Sequence, residues 1–166
     1  MNNNIKTLVI AALFTAMTTV FILFIRIPNP TGIGIIHLGD SVIYLAACIL
    51  PKRYAVPAAG LGGALANALG GHFIFIIPTL LIKMLISVPF TSESDKILTK
   101  RNILMTIPAG LVTIIGYFIV VWVLFDLSGA VAYVLGDVGQ AAGSAVIFII
   151  FATALDKIKF KQLLRR

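Results

Sequence analysis

Three long apolar stretches, residues 1–25, 103–125 and 129–155, are the feature that most constrains this chain. Each approaches the roughly 20 residues that an α-helix needs to cross the hydrocarbon core of a bilayer. Hydrophobic residues make up 60% of the 166 residues, and most of the charged ones, only 11%, lie between the apolar stretches. A soluble domain carries about 25% charged residues, spread over its surface. The sequence therefore predicts an all-α integral membrane protein.

Prolines, glycines and charged residues divide the chain into six helical segments. Pro28 and Pro30 prevent the first segment from continuing, Pro51 ends the second, and Gly70 with Gly71 ends the third. The second segment is only about 21 Å long by helical rise, so it is either a short span or a helix that begins among its neighbours inside the membrane. We predict one membrane domain, 1–166, that is a six-transmembrane-helix bundle with helices at about 5–25, 37–50, 55–69, 73–90, 103–125 and 130–155.

The distribution of basic residues favours six helices over five. With six, eleven of the 13 Lys and Arg residues fall on one side, and a basic excess marks the cytoplasmic side. Both termini are therefore predicted to be cytoplasmic, and the net charge of +7 is explained by topology rather than by nucleic-acid binding. These eleven residues are Lys6, Lys52, Arg53, Lys96, Lys100, Arg101, Lys157, Lys159, Lys161, Arg165 and Arg166.

The sequence contains no motif for several kinds of chemistry. It has no glycine-rich phosphate-binding loop and no recognisable Ser/His/Asp, Cys/His or His-Glu-x-x-His arrangement. Its single cysteine, Cys48, cannot form an internal disulfide, and metal-ligand spacing is absent. We therefore predict no enzymatic activity, no cofactor and no metal.

Polar side chains inside the predicted helices carry the functional prediction. An ionisable group at the bilayer centre costs roughly 2.5–3.5 kcal/mol on insertion scales, so each one needs a partner or a task. Asp137 and Gln140 lie three residues apart, which places them on one face of the last helix. We predict that these two bind a heterocyclic ligand, supported by Asp40, His37 and Lys83, with Asn67 as a weaker candidate.

Structural alternatives exist for several of these groups. Asp40 would complement a helix dipole, and Lys83 would form a buried ion pair with Asp40 or Asp137. Tyr117 and Tyr133 have ordinary explanations as a core aromatic residue and a member of an aromatic belt. For His72, an interfacial position and contact with a ligand remain equally open.

Small residues recur at helical spacing on three segments. Ala12 and Ala16 form such a pair on the first helix, and Gly139 and Gly143 form one on the last. Small residues let helix backbones approach closely in lipid. On the third helix, where they cover more than one face, packing inside the bundle is favoured. For the first helix, internal packing and the docking of another membrane protein remain open.

The chain resembles the substrate-binding (S) components of energy-coupling factor (ECF) transporters, which import vitamins. The resemblance lies in Arg26-Ile-Pro-Asn-Pro, in His37-Leu-Gly-Asp, in the small-residue run 58–67 and in Pro78-Thr-Leu-Leu-Ile-Lys83. The stretch 11–16 is similar to the alanine motif through which such components dock a membrane partner. The riboflavin-type branch, which also contains members handling vitamin B6, a thiamine pyrimidine precursor or queuosine precursors, is the most similar.

The resemblance implies a subunit of the bacterial plasma membrane that binds a micronutrient from outside. It implies three partners, a transmembrane coupling subunit contacted through Ala12 and Ala16 and two cytosolic ATPases. Many relatives have Asn-x-x-Gln in the last helix where this chain has Asp137-Val-Gly-Gln140. We therefore expect a cargo with a basic nitrogen, such as vitamin B6, hydroxymethylpyrimidine or a queuosine precursor. Riboflavin as cargo, a self-sufficient proton-coupled carrier and a scaffold without a ligand remain alternatives.

Overall fold

The computed structural model describes residues 3–28 and 35–165, and within these ranges the chain forms a bundle of α-helices. This architecture agrees with the helical membrane protein expected from the sequence. The helices are α1 Asn3–Phe24, α2 Gly39–Ile49, α3 Lys52–Leu69, α4 Ile76–Ser87, α5 Lys100–Leu104, α6 Thr106–Leu124, α7 Leu127–Lys157 and α8 Phe160–Arg165.

Three stretches of the described chain are long and apolar enough to cross a membrane, namely Asn4–Phe24, Lys100–Leu124 and Leu127–Lys157. Gly39–Ile49 and Phe73–Ser87 are shorter apolar helices. Large hydrophobic side chains such as Leu13, Leu111 and Leu135 are more than half exposed on the outer faces of the bundle. Water would solvate so continuous an apolar surface poorly, whereas lipid tails match it.

The helix α2 lies in the centre of the bundle. Every residue from Gly39 to Ile49 is buried, so no face of this helix is left for lipid. Its eleven residues extend only about 16 Å, roughly half the hydrocarbon thickness. Of the two alternatives for this segment, the structure shows the helix that is enclosed by its neighbours.

A two-stranded antiparallel ribbon precedes α2 and was not expected from the sequence. Strand β1, Arg26–Pro28, pairs with β2, Ile35–His37, and Arg26 lies opposite His37. Pro28 and Pro30 were expected only to end the first predicted helix. Proline also favours an extended backbone in the residue before it, and Ile27, in that position, pairs with Ile36. The ribbon leads directly into the first turn of α2.

The outer bounds of the six predicted helices differ by up to three residues from those in the structure, and three differences are informative. The helix α3 begins at Lys52 because the amides of Tyr54 and Ala55 donate to the carbonyl of Pro51, so Pro57 lies inside the helix and not in its first turn. The predicted fifth helix is divided at Met105 into α5 and α6, and the predicted basic tail contains the short helix α8.

Small residues of α3 pack inside the bundle, as favoured above. A Cβ atom at Gly62 would lie 2.8 Å from Thr18, and one at Gly63 would lie 2.8 Å from the Lys83 stem. The Thr19 hydroxyl of α1 also donates to the carbonyl of Gly62 at 3.0 Å. In contrast, a Cβ at Gly143 of α7 would meet nothing within 4 Å.

At one end of the bundle, hydrogen bonds join the start of α3 to α1, and the end of α7 to the segment before α5. Arg53 at the start of α3 donates to Asn4 of α1, and the carboxylate of Asp156 near the end of α7 accepts from the backbone amides of Ile97 and Leu98, before α5. The clusters of basic residues lie at these junctions. We therefore name this the basic end.

The turn between α6 and α7, at the other end, is stabilised by an aspartate cap. Asp126 accepts hydrogen bonds from the Ser128 hydroxyl and from the Gly129 amide. These bonds hold the pKa of Asp126 below its ordinary value. The cap is therefore fully formed at neutral pH and is lost as the pH falls through that lowered pKa.

Replacement of Asp126 with alanine is expected to lower the Tm of the purified protein by a few degrees at pH 7, because the amides of the first turn of α7 lose their acceptor. Asp126→Asn is the matched control, since asparagine also caps helices. It should retain the Tm at pH 7 and lose the contribution of this residue to acid sensitivity. Thermal unfolding in detergent between pH 3 and pH 7 measures both effects, and an unchanged Tm in Asp126→Ala would contradict the assignment.

Candidate functional site

A cavity of about 110 Å³ opens near the ends of α1, α3, α6 and α7 that lie away from the basic end. This volume is several times the roughly 10–15 Å³ that one water molecule requires. Aromatic side chains line one part of the cavity wall, and amide, hydroxyl and carboxylate groups line the rest. The lining residues are Ile22, His37, Asn67, His72, Phe75, Thr79, Tyr117, Tyr133, Asp137 and Gln140.

Asp137 and Gln140, the pair favoured by the sequence, lie together in this lining. Both are on α7, with side chains 7% and 3% exposed, so they face into the bundle and not toward lipid. Among the described residues, the Oδ2 atom of Asp137 is buried and has no hydrogen-bond partner. A buried carboxylate oxygen in this condition lacks the interactions that usually offset its desolvation.

Asp40 and Lys83 are not among the lining residues but lie next to two of them, Gln140 and Tyr117, and we call this ion pair the floor. Their side chains are fully buried, and Lys83 Nζ lies 2.6 Å from Asp40 Oδ1. The other carboxylate oxygen, Asp40 Oδ2, accepts a hydrogen bond of 2.9 Å from Gln140 Nε2. Of the two alternatives for Lys83, the structure therefore shows the ion pair with Asp40. This network joins α2, α4 and α7 next to the cavity.

A second chain of hydrogen bonds forms the side wall. Asn67 Nδ2 donates to the Thr79 hydroxyl at 2.7 Å and to the carbonyl of Phe75 at 3.3 Å. The Thr79 hydroxyl also lies 3.0 Å from the Tyr117 hydroxyl. The ring of Tyr117 in turn lies 5.2 Å from Lys83 Nζ, so the wall and the floor meet at this residue. Asn67 thus orients neighbouring polar groups in addition to lining the cavity.

Local sequence explains how these groups approach each other. Gly63 leaves room for the Lys83 stem to cross α3 and reach Asp40. Gly39 leaves room for Ile22, because a Cβ there would lie 2.3 Å from a side-chain carbon of Ile22. His37 lines the cavity from the end of the ribbon, two residues before α2 begins.

The structure places four of the six predicted binding residues in the lining and the other two next to it. Ile22, Phe75 and Thr79 were not predicted, and Tyr117 and Tyr133 had ordinary structural explanations. His72 was left open between an interfacial position and contact with a ligand, and it lies in the lining. Aromatic and aliphatic residues in a membrane segment carry no pattern that distinguishes a cavity wall from a packed core. Tyr117, which lies deep in its helix with a polar hydroxyl, offered the one available signal.

Ala12 and Ala16 lie elsewhere on the bundle. Both are exposed on α1 and neither lines the cavity. Phe14, which lies between them in sequence and therefore on the opposite face of the helix, is buried and packs into the core. The two alanines therefore form part of an outer surface of the described chain.

Comparisons with known proteins identify the same family that the motifs resemble. The model of the family described as "ECF-type riboflavin transporter, S component" matches residues 2–157. A curated protein of Pyrococcus woesei, described as "Uncharacterized protein in gap 3'region", is 33% identical over 130 residues, which cover 78% of this chain and 87% of that protein.

Removal of the Lys83 ammonium is expected to destabilise the protein severely. Lys83→Met leaves the Asp40 carboxylate buried without its counter-ion, which typically costs about 3–5 kcal/mol. The double variant Lys83→Met with Asp40→Asn should recover much of this loss, because neither member of the pair then carries a buried charge. Thermal unfolding in detergent measures both, with Lys100→Met on an exposed lysine as the control. A Tm for Lys83→Met equal to that of the control would contradict the floor assignment.

Proposed function

The chain belongs to the S components of ECF-type riboflavin transporters, and from this membership we propose that it captures a micronutrient in the cavity described above. An S component is the substrate-binding subunit of such a transporter and is not an enzyme. The cargo would pass to the coupling subunit and the two ATPases that complete an ECF transporter.

The unpartnered oxygen of Asp137 is the observation that most directly supports a cargo with a basic nitrogen. A protonated nitrogen or a strong N–H donor would satisfy this carboxylate in a site with little water, where charge-assisted hydrogen bonds are strong. Lys83 is already engaged by Asp40 in the floor. We therefore favour vitamin B6, hydroxymethylpyrimidine or a queuosine precursor.

The remaining lining supports a flat, ring-shaped cargo. Phe75, Tyr117 and Tyr133 offer aromatic surfaces for stacking, and His72 and His37 add planar polar groups. With its Nε2 held by Asp40, Gln140 can present its carbonyl oxygen to a donor on the ring. Such a wall would fix the plane of a heterocycle while Asp137 selects its charge.

Of the two alternatives for the function, only riboflavin as cargo has support of its own. The description of the matching family favours riboflavin as cargo. A self-sufficient proton-coupled carrier would use the buried groups Asp40, Lys83 and Asp137 as a relay. Since Asp40 and Lys83 are directly paired, this relay would have to break an ion pair in every cycle.

The orientation that we propose has the basic end in the cytoplasm. The bundle would then cross the bacterial plasma membrane six times, through α1, α2, α3, α4, the α5–α6 pair and α7, with both termini inside. The cavity would open to the outside, where the cargo is captured. The collection of basic residues at one end supports this orientation, because positively charged loops remain cytoplasmic.

The surface proposed for the coupling subunit is the exposed face of α1 around Ala12 and Ala16. Small side chains at this spacing allow a second helix to approach the α1 backbone closely. The face lies outside the cavity lining, so docking and cargo binding would use separate parts of the molecule.

Calorimetric titration of the purified protein with pyridoxine, hydroxymethylpyrimidine, queuine and riboflavin tests the cargo. We expect tight binding of a compound with a basic nitrogen. We also expect Asp137→Asn to weaken that binding about 10- to 100-fold, because a charge-assisted hydrogen bond is lost. Asp126→Asn, a carboxylate change outside the cavity, is the control and should bind normally. Tight binding of riboflavin alone would establish the riboflavin alternative.

Docking is tested by replacing Ala12 and Ala16 together with leucine. The larger side chains should hold the partner helix away from α1 and reduce co-purification with the coupling subunit by roughly tenfold or more. Cargo binding should be unchanged, since neither residue lines the cavity. Ala154→Leu, on an exposed position of α7, is the matched control. Normal co-purification of the double variant would exclude this face.

A further inference from the structure

A buried lysine ties the C-terminal segment of the chain to the end of α2. Lys161, on α8, is only 2% exposed, and its Nζ donates a 2.7 Å hydrogen bond to the backbone carbonyl of Cys48. This carbonyl is one of the last four in α2, and no amide within the helix donates a hydrogen bond to these four. A cation is also favoured at the negative end of a helix dipole. Because burial of an ammonium is expensive, its retention here calls for a reason.

The two ends of α2 are therefore held by charged groups on other helices. Asp40, in the first turn, is held by Lys83 of α4 and Gln140 of α7 at the cavity floor. Cys48, in the last turn, is held by Lys161 at the basic end. The two ties lie about 12 Å apart along the helix axis.

Contacts between these ties are aromatic and apolar. The Tyr44 ring stacks on Phe90 at 4.8 Å and meets Phe148 edge-on at 5.9 Å. Apolar burial is not directional, so it does little to specify the position of a helix along its own axis. The ion pair and the hydrogen bonds at its two ends are directional, so they fix the position of α2 along its axis.

Several hydrogen bonds hold the part of the chain near Lys161 in place. Asp156, five residues earlier, accepts from the amides of Ile97 and Leu98 at 2.8 and 2.9 Å. The buried Asn102 side chain bonds to the backbone of Thr91 and to the carbonyl of Ile97. Lys161 thus anchors α2 to an ordered platform at the basic end.

We propose that Lys161 is a positioning residue for the cavity. By holding the Cys48 carbonyl it fixes the depth of α2 in the bundle, and so keeps Asp40 in register beneath Gln140. A disturbance at either end of this short, enclosed helix is transmitted to the other. The proposal rests on the proposed function only in taking the cavity as the binding site, and its test requires no cargo.

Cys48 is a natural reporter, because it is the single cysteine of the chain and its side chain is fully buried. The rate at which N-ethylmaleimide alkylates it in the full-length protein in detergent measures the opening of the end of α2. Lys161→Met should raise this rate about tenfold or more, because a charged hydrogen bond is lost. Lys161→Arg, which retains a donor, should stay within about threefold of the original rate. Lys157→Met, on an exposed lysine of α7, is the matched control and should not change it.

The coupling between the two ends of α2 is tested from the end at the cavity floor, with the variants Gln140→Met and Asp40→Asn. Each weakens the tie at the cavity floor, and each should raise the rate of Cys48 alkylation although the substituted group lies about 12 Å away. Asp126→Ala serves as the control for general loss of stability, since it weakens a cap outside α2, and it should leave the rate unchanged. All rates are measured well below the lowest Tm in the set.

Two results would overturn the proposal. An unchanged rate in Lys161→Met would show that the lysine does not hold α2. An increased rate in Lys161→Met, with no increase in the two floor variants or with an equal increase in Asp126→Ala, would show that the ends are not coupled through α2. Neither result depends on whether a cargo from the vitamin panel binds, so failure of this proposal and failure of the proposed function are distinguishable.

Discussion

The ion pair between Lys83 and Asp40 is the interaction on which the site depends. A lysine within a lipid-embedded bundle must be partnered, and the partner must come from another helix because α4 contains no acidic residue. The pair forms because Gly63 lets the lysine stem pass close to α3 and because the first turn of α2 brings Asp40 next to Lys83. One electrostatic requirement thus fixes the relative positions of α2, α3 and α4.

The cavity is built outward from this pair. Asp40 has two carboxylate oxygens, and the one that faces away from Lys83 holds Gln140 in place. Three residues earlier on the same face of α7, Asp137 has a buried oxygen without a partner among the described residues. In the floor each charged group therefore has an oppositely charged partner, whereas the lining contains a buried carboxylate oxygen without a hydrogen-bond partner among the described residues. A ligand that supplies the missing donor would satisfy this oxygen, which is the physical basis of the selectivity we propose.

Much of the site could be predicted because polar groups are conspicuous in an apolar chain. Asp137, Gln140, His37 and Asn67 were identified on that ground, and each lies in the lining. The division between lining and floor could not be predicted, since Asp40 and Lys83 differ from the others only in depth. Tyr117 was interpreted as core packing and Tyr133 as part of an aromatic belt, because aromatic residues are expected at both places in such helices. The ribbon depends on backbone pairing between β1 and β2, for which the side chains give little indication.

The sequence by itself determined that lipid surrounds this protein, that it folds as helices, and that its buried charges need partners. Tertiary structure decided which partner Lys83 takes, that α2 is enclosed on every side, and which face of each helix turns inward. The physical reason is that lipid and a protein core are equally apolar. The hydrophobic periodicity that separates inside from outside in a water-soluble helix is therefore nearly absent here, and only close packing around the polar groups selects the faces that meet.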